Sequence, residues 1–289
     1  RTSLWKKKWT FKKISRYSLI QTRGAKLIKY DENDPRNYFP RPEKELIFPS
    51  CAQAIDLLKK GDFLGGHLIP WSSNNTYLVW ISTETESTCI SAIYKPNVGE
   101  KPLLDFPDGN LYKREYSSYL LSKELAWPNI PITVIREGPH GVGSLQLYID
   151  SDPRITYFEM RSDVKLKKEF EKIAVFDILT NNADRKAGHC IQPKNNIIWS
   201  IDHGLTFHSS FKLRTVMLEY FDQDISSDLL DELQSFSISL NSNKRFRNTL
   251  EEQISEIEIE SFVERLDFLI KYKKLPFLDP NKNIPWPLV

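Results

Sequence analysis

The chain has 289 residues, 40 Lys or Arg against 38 Asp or Glu, three cysteines and 40% hydrophobic residues. That length can bury a sizeable core, as one bilobed domain or two small ones. No apolar run approaches the ~20 residues needed to span a bilayer, no secretory apolar segment opens the chain, and Cys51, Cys89 and Cys190 form no CxxC pair, so a membrane span, a disulfide framework and a zinc ribbon are not supported.

The near-neutral total hides an uneven distribution. Residues 1–30 hold ten Lys or Arg and no Asp or Glu, leaving 30 basic against 38 acidic residues elsewhere, a net of −8. Trp5, Trp9, Phe11 and Tyr17 interleave the basic stretch. Positive charge with aromatics suits an anionic membrane surface, nucleic acid or a ribonucleoprotein, or an organellar transit signal. The plainer reading is a solvated arm resting on the body through its aromatics. The cysteine usage points to a reducing compartment, the cytoplasm, or an organellar matrix if the basic stretch is a targeting remnant.

A Pro-rich, charged linker from Asp31 leads to Ser50, which caps a helix CAQAIDLLKK ended by Gly61. Three β-rich runs follow, DFLGGHLIP, TYLVWIST and TCISAIYKP, as an antiparallel meander. Gly65 and Gly66 match no phosphate-loop spacing and mark a bulge or bend. The small polar turn Ser72–Asn75 can offer N–H groups and hydroxyls to phosphate oxygens, or can simply be a hairpin loop. Lys95 ends the third run, where a lysine either snorkels to solvent or reaches inward as a point charge.

The next helix, NLYKREYSSYLLSKELAW, takes Asn110 as its cap and carries Glu115 on the face of Leu111, Tyr119 and Ser122. Glu115 is placed either to meet Lys95 or to pair with a surface lysine of its own helix. PITVIRE and GSLQLYI read as two more strands, after which the chain crosses to a helical lobe near Gln146–Tyr148. There SDVKLKKEFEKIAVFDILTNN, capped by Ser162, places Val164, Phe170, Ile173, Ala174 and Ile178 at helical spacing.

That helix delivers Asp184, followed at +2 by Lys186 and at +5 by His189; Asp202 comes eighteen positions after Asp184 at the end of IIWSI. Phosphoryl transfer to a hydroxyl wants one carboxylate near the acceptor and another holding metal on the phosphates, although Asp and Asn also populate turns for local reasons. His189, Cys190, His203 and His208 fit no common zinc spacing. Lys212 and Arg214 follow in a loop, then a helix SSDLLDELQSF, a basic connector NSNKRFR, and a helix with a core stripe through Ile259, Phe262, Val263, Leu266, Leu269 and Ile270. The Pro-rich tail FLDPNKNIPWPLV is expected on the surface.

The stretches PWSSNNTYLV, AIYKP, LLDFPDGNLYKREYSSYLLSKEL, GPHGVGSLQLYID, FDILTNNADRKAGH, IDHGLTFH and LRTV keep this order between residues 60 and 220. On them the chain resembles a little-characterised prokaryotic family related to phosphatidylinositol 3- and 4-kinases, and so the protein kinase-like fold. The resemblance implies an α+β, bilobed protein: residues 1–50 a basic extension and linker, 51–150 an antiparallel N-lobe with one main helix, 151–289 a helical C-lobe. It implies ATP and Mg²⁺ as cofactors, with Ser72, Ser73 and Asn74 over the phosphates and Lys95 on the α- and β-phosphates. Glu115 is its ion-pair partner, and Gln146, Leu147 and Tyr148 lie near the adenine. Asp184 corresponds to the aspartate that orients the acceptor hydroxyl, Lys186 to the lysine near the γ-phosphate, and Asp202 to the metal-binding aspartate of Asp-Phe-Gly.

Two positions depart from that pattern. His189 stands where the usual second metal ligand is Asn, which makes Mn²⁺ an alternative metal, since imidazole suits softer ions than Mg²⁺. His203 stands where the Asp-Phe-Gly phenylalanine would be. Lys212 and Arg214 are few for gripping an inositol phosphate headgroup. The expected function is ATP-dependent phosphotransfer to a hydroxyl, with protein Ser/Thr preferred over a small molecule or lipid. The rival is a nucleotide-binding pseudokinase that docks through its basic arm. Transfer of AMP would follow if the nucleotide sat flipped.

Overall fold

The computed structural model of the chain describes residues 44–289 apart from 71, 84, 86, 108, 194–196 and 243. The basic, aromatic-interleaved arm and most of the Pro-rich linker lie outside the described residues. A short strand β1 (Glu45–Leu46) precedes α1 (Cys51–Lys60), β2 (Asp62–Leu68), β3 (Tyr77–Ser82), β4 (Thr88–Pro96), α2 (Leu111–Leu125), β5 (Thr133–Gly138) and β6 (Gly141–Leu147). The rest is α3 (Tyr157–Met160), α4 (Lys167–Thr180), the small pair β7 (Cys190–Ile191) and β8 (Trp199–Ser200), then α5 (Ser227–Ser242), α6 (Lys244–Glu251) and α7 (Glu256–Tyr272). The architecture is α+β, an antiparallel N-terminal sheet followed by a helical C-terminal part.

The sheet runs β2-β3-β4-β6-β5, with β1 parallel to the start of β4. Its period of two decides what faces where. Ile90, Ala92 and Tyr94 of β4 are buried in a cluster with Ala54, Leu57 and Leu58 of α1 and Leu145 and Leu147 of β6. The intervening Ser91, Ile93 and Lys95 therefore turn to the opposite face. The β2/β3 register slips between Phe63 and Gly65, the bulge expected at the glycine pair. Beside Lys95, Gly143 of β6 approaches so closely that a Cβ there would collide with the Lys95 carbonyl and Pro96, so this pairing needs a residue without a side chain. Ser50 caps α1 in a reciprocal box with Gln53.

Several local expectations give way to tertiary contacts. Asn110 does not cap α2 through its side chain; it sits in the left-handed region, and Glu100 from the preceding loop accepts from the Tyr112 N–H instead. Ser162 does not start the next helix. Asp163 accepts from the Lys165 N–H at a single 3-10 turn, α4 begins at Lys167, and Val164 is left exposed. The basic connector is mostly helical, because Phe246 and Leu250, one turn apart in α6, are buried against the C-terminal core.

α2 is the element that joins the two halves. Tyr119, Leu121 and Leu125 belong to the same apolar cluster as Phe176 of α4, Leu233 of α5 and Phe262 of α7. Arg114 donates to the Thr206 carbonyl at 2.7 Å and to Glu258 of α7 at 2.6 Å, with its guanidinium over the Phe106 ring. The helix is thus held from the C-terminal side while its Glu115 points back to the sheet.

Candidate active site

Lys95, Glu115 and Asp202, scattered along the chain, converge on one cleft between the sheet and the helical part. Lys95 Nζ lies 2.6 Å from Glu115 Oε2 and 3.0 Å from Asp202 Oδ1. β4 supplies the lysine from its cleft face and α2 supplies a glutamate only 1% exposed, so Glu115 is not the surface residue its helix would permit. Burial alone would lower the Lys95 pKa, but Asp202 and Glu115 raise it above the ordinary lysine value, and the amine stays charged. Burial pushes the Glu115 carboxyl up, with Lys95 opposing. Asp202 is pulled the other way. Burial would raise it, yet Lys95 and the His189 side hold it well below the carboxylate range. Its side chain is still 50% exposed, so it is ionised and open to the cleft. Asp202 has φ of +60°, a left-handed backbone that costs an L-residue roughly 1–2 kcal/mol and turns its carboxylate towards Lys95.

Asp184 completes the acidic set. Its N–H is held by the Asn182 side chain, and its carboxylate faces Lys186 Nζ at 3.2 Å. Burial, with a contribution from the Asp202 charge, raises its pKa to about 6 against the pull of Lys186 and Arg185. A cavity of about 480 Å³ is lined by Lys95, Glu115, Asp184, Lys186 and Asp202, together with the Ser72, Ser73 and Asn74 turn. In that turn the Ser72 and Thr76 hydroxyls bond each other at 2.8 Å, and Asn74 Oδ1 accepts from the Lys101 N–H.

A second cavity of about 330 Å³ has Gln146, Leu147 and Tyr148 on one side and Leu78, Ile93, Ile191 and Ile201 among its apolar walls. Ile93 and Ile201 adjoin the Lys95 and Asp202 positions, so the slot opens beside the charged cavity. The Leu147 and Tyr148 N–H groups already bond the Ile132 and Ser91 carbonyls, and Gln146 donates to Thr133. The Leu147 and Tyr148 N–H groups are therefore already engaged, and the three residues shape the slot's wall.

The two histidines have distinct surroundings. His189 accepts from the Lys186 N–H on Nδ1 and presents Nε2 to Asp202 Oδ2 at 3.4 Å; burial lowers its pKa to about 4, so the ring is neutral with its proton on Nε2. His203 is fully buried, edge-on to Phe176, and its Nε2 accepts from Arg185 at 2.9 Å. Burial, then Arg185, holds its pKa well below the usual value. Among the described residues its Nδ1 has no partner. The Ser200 hydroxyl lies 3.0 Å from the same ring nitrogen, so the ring is packed and tied to a guanidinium.

That guanidinium anchors both loops. Arg185 is wholly buried and grips Asp177 of α4 through two 2.8 Å bonds. It also donates to the carbonyls of His189 and Ile201, the residues that end the Asp184 loop and precede Asp202. Asn182 bonds the same Asp177. Sequence reading passed over Asp177, Asn182 and Arg185; the only available signal was the crowding of polar residues directly behind an apolar helix.

The tail lies mostly on the surface, as expected, yet it is bonded to the body. Asn283 donates to the Leu213 carbonyl and accepts from the Thr215 N–H, and the Leu288 carbonyl accepts from the Ala187 N–H. Ile284, Pro285 and Trp286 thereby form part of the larger cavity's wall. Lys212 and Arg214 both pair with Asp105, at 2.8 and 3.0 Å. Among the described residues no group of three or more His, Cys, Asp or Glu is arranged as a metal site, and no helix is long and apolar enough to cross a membrane.

No protein-family model matches the chain. Over 253 residues it is 32% identical to Protein Rv2133c of Mycobacterium tuberculosis, covering 75% of this chain and 88% of that protein. Among solved structures it is similar to the Helicobacter pylori proinflammatory kinase CtkA, with a TM-score of 0.49 and 13% identity, covering 75% of this chain and 94% of that one. A superposition that loose carries no functional weight.

Proposed function

The chain belongs to the family of the Mycobacterium tuberculosis Protein Rv2133c, and we propose that it is an ATP-dependent phosphotransferase of phosphoinositide-kinase-like type that transfers to a hydroxyl. The observation that carries this reading is the lysine amine bridging a buried glutamate and a cleft aspartate, with Asp184 on the same cavity. Cation, metal-binding anion and acceptor-side carboxylate are the parts phosphoryl transfer requires, since its catalysis is mostly positioning and charge stabilisation.

The donor set fits a metal nucleotide. The apolar slot suits a planar base, and the Ser72–Asn74 turn with Lys95 suits phosphates. Asp202, the half-exposed carboxylate beside Lys95, suits Mg²⁺, which usually takes one or two carboxylates and completes its shell with water and phosphate oxygens. When bound, the metal nucleotide supplies the phosphoryl group and neutralises its charge. His189 serves by holding Asp202 through its Nε2 proton; ligating an ion would need the other tautomer and would give up the Lys186 amide bond. Lys186 holds Asp184, and Asp184 orients the acceptor hydroxyl and takes its proton. His203 is a packing residue tied to Arg185, which removes one motive for the pseudokinase alternative.

The direct test is equilibrium binding of a non-hydrolysable ATP analogue with Mg²⁺ or Mn²⁺. Lys95→Met is expected to weaken it by about tenfold or more; unchanged affinity would remove the reading. In the metal-free chain the Asp184 carboxyl is expected to titrate at about 6, followed by carbon NMR. Being raised by burial, it is ionised and competent as a base above that pH and lost as a base below it. A midpoint at the ordinary aspartate value would show that the carboxyl is open to solvent.

A further inference from the structure

Resting on the phosphotransferase reading, we infer that the acceptor is a small hydroxyl-bearing anion, its charge held by Arg214 and a ring or carbon face by Trp286, and not a Ser/Thr segment of a protein. An extended peptide gains its affinity by adding its main chain to a free edge. Beside Asp184 those edges are occupied. The Arg214 N–H bonds the Asn182 carbonyl, the Arg185 N–H bonds the Arg214 carbonyl, and the tail takes the Thr215 and Ala187 N–H groups through Asn283 and Leu288. The acceptor side is therefore a walled recess built from three segments cross-bonded through their backbones.

The recess is built for a compact anion. Its backbone bonds pin Arg214 to the residues on either side of Asp184, and the side chain lines the same cavity. Arg214 and Lys212 share one carboxylate, Asp105, so these three side chains leave one net positive charge at this corner of the cavity. Guanidinium presents a fork that matches phosphate or carboxylate. Trp286 lines the recess yet is 88% exposed, although the tail around it is bonded down and Pro285 is buried. An indole held in water at a cavity rim offers an apolar face at low entropic cost, suited to stacking on a ring or carbon skeleton. The tail from Phe277 onward contains no Ser, Thr or Tyr, so it is wall and not an acceptor in cis. In the transfer the acceptor O–H bond breaks and its proton passes to the Asp184 carboxylate. The acceptor oxygen bonds the γ-phosphorus as the bond to the β-phosphate oxygen breaks, and ADP leaves.

The test uses the full chain with Mg²⁺–ADP and calorimetric binding of glycerol 3-phosphate, ribose 5-phosphate, glucose 6-phosphate and gluconate, each beside its neutral counterpart, with a degenerate Ser/Thr peptide library assayed for phosphate transfer. At least one anion is expected to bind about tenfold better than its neutral counterpart. Arg214→Gln is expected to weaken it about tenfold and Trp286→Ala about fivefold, while ATP-analogue affinity stays within about twofold of the parent. Arg214→Lys, which keeps the charge and loses the fork, should fall between, and a retained melting transition shows that each variant folds. If none of the anions binds, if Arg214→Gln leaves binding unchanged, or if peptides are phosphorylated equally by parent and variants, the inference is overturned. If the parent does not bind the ATP analogue at all, it is the underlying phosphotransferase reading that fails.

Discussion

Asp202→Asn is expected to lower nucleotide-dependent turnover by about a thousandfold or more while leaving the fold intact. Asn is the appropriate replacement because it keeps the volume and, unlike most residues, tolerates the left-handed backbone recorded at this position. It removes the cleft carboxylate that is held ionised and half exposed beside Lys95. The amine then has Glu115 as its remaining anionic partner, and the metal loses the protein ligand assigned to it above. Steady-state release of ADP measures the first effect, and metal-dependent binding of an ATP analogue measures the second. Turnover within a few-fold of the parent would mean that Asp202 serves only as a counter-ion for Lys95, and the assignment of metal to this side of the cleft would fall.

Arg185→Met is expected to cost about 3–5 kcal/mol of stability, because it leaves the Asp177 carboxylate buried without its cation. Both side chains are fully buried and joined by two 2.8 Å bonds. For a chain of this size each kcal/mol corresponds to roughly 2–4 °C in Tm, so a fall of roughly 6–20 °C should be read in a thermal melt. The same change frees the carbonyls of His189 and Ile201 and the ring nitrogen of His203, so both acidic loops lose their common anchor. The double variant Asp177→Leu with Arg185→Met should recover part of the loss, since an apolar pair often replaces a buried ion pair at little cost. A single variant that melts like the parent would show that the two loops are held by their backbones alone.

Much of the cleft was readable before any coordinates, because the signals are short-range. Alternation along TCISAIYKP turns Lys95 away from the buried Tyr94. Helical spacing puts Glu115 on the line of Leu111, Tyr119 and Ser122, and all of these are buried. The Ser50 cap and the Gly65 bulge follow from residue chemistry at a single position. The misses have a common cause. The Asn110 and Ser162 caps were displaced by Glu100 and Asp163, because a helix end takes whichever acceptor the surrounding chain brings closest. The tail and connector looked polar or irregular, and what orders them is contact with remote segments.

The sequence alone determined the order of the main strands and helices, the two faces of the sheet and the identities of the charged residues, since those depend on periodicity and turn chemistry within a few residues. Only the tertiary structure decided which charges meet: Lys95 with both Glu115 and Asp202, Arg185 with Asp177 and His203, Arg214 with Asp105, and the tail against the Asp184 loop. The physical reason is that an ion pair or a main-chain bond between residues distant in sequence is chosen by how the apolar clusters bring the backbone together, and no local pattern encodes that choice.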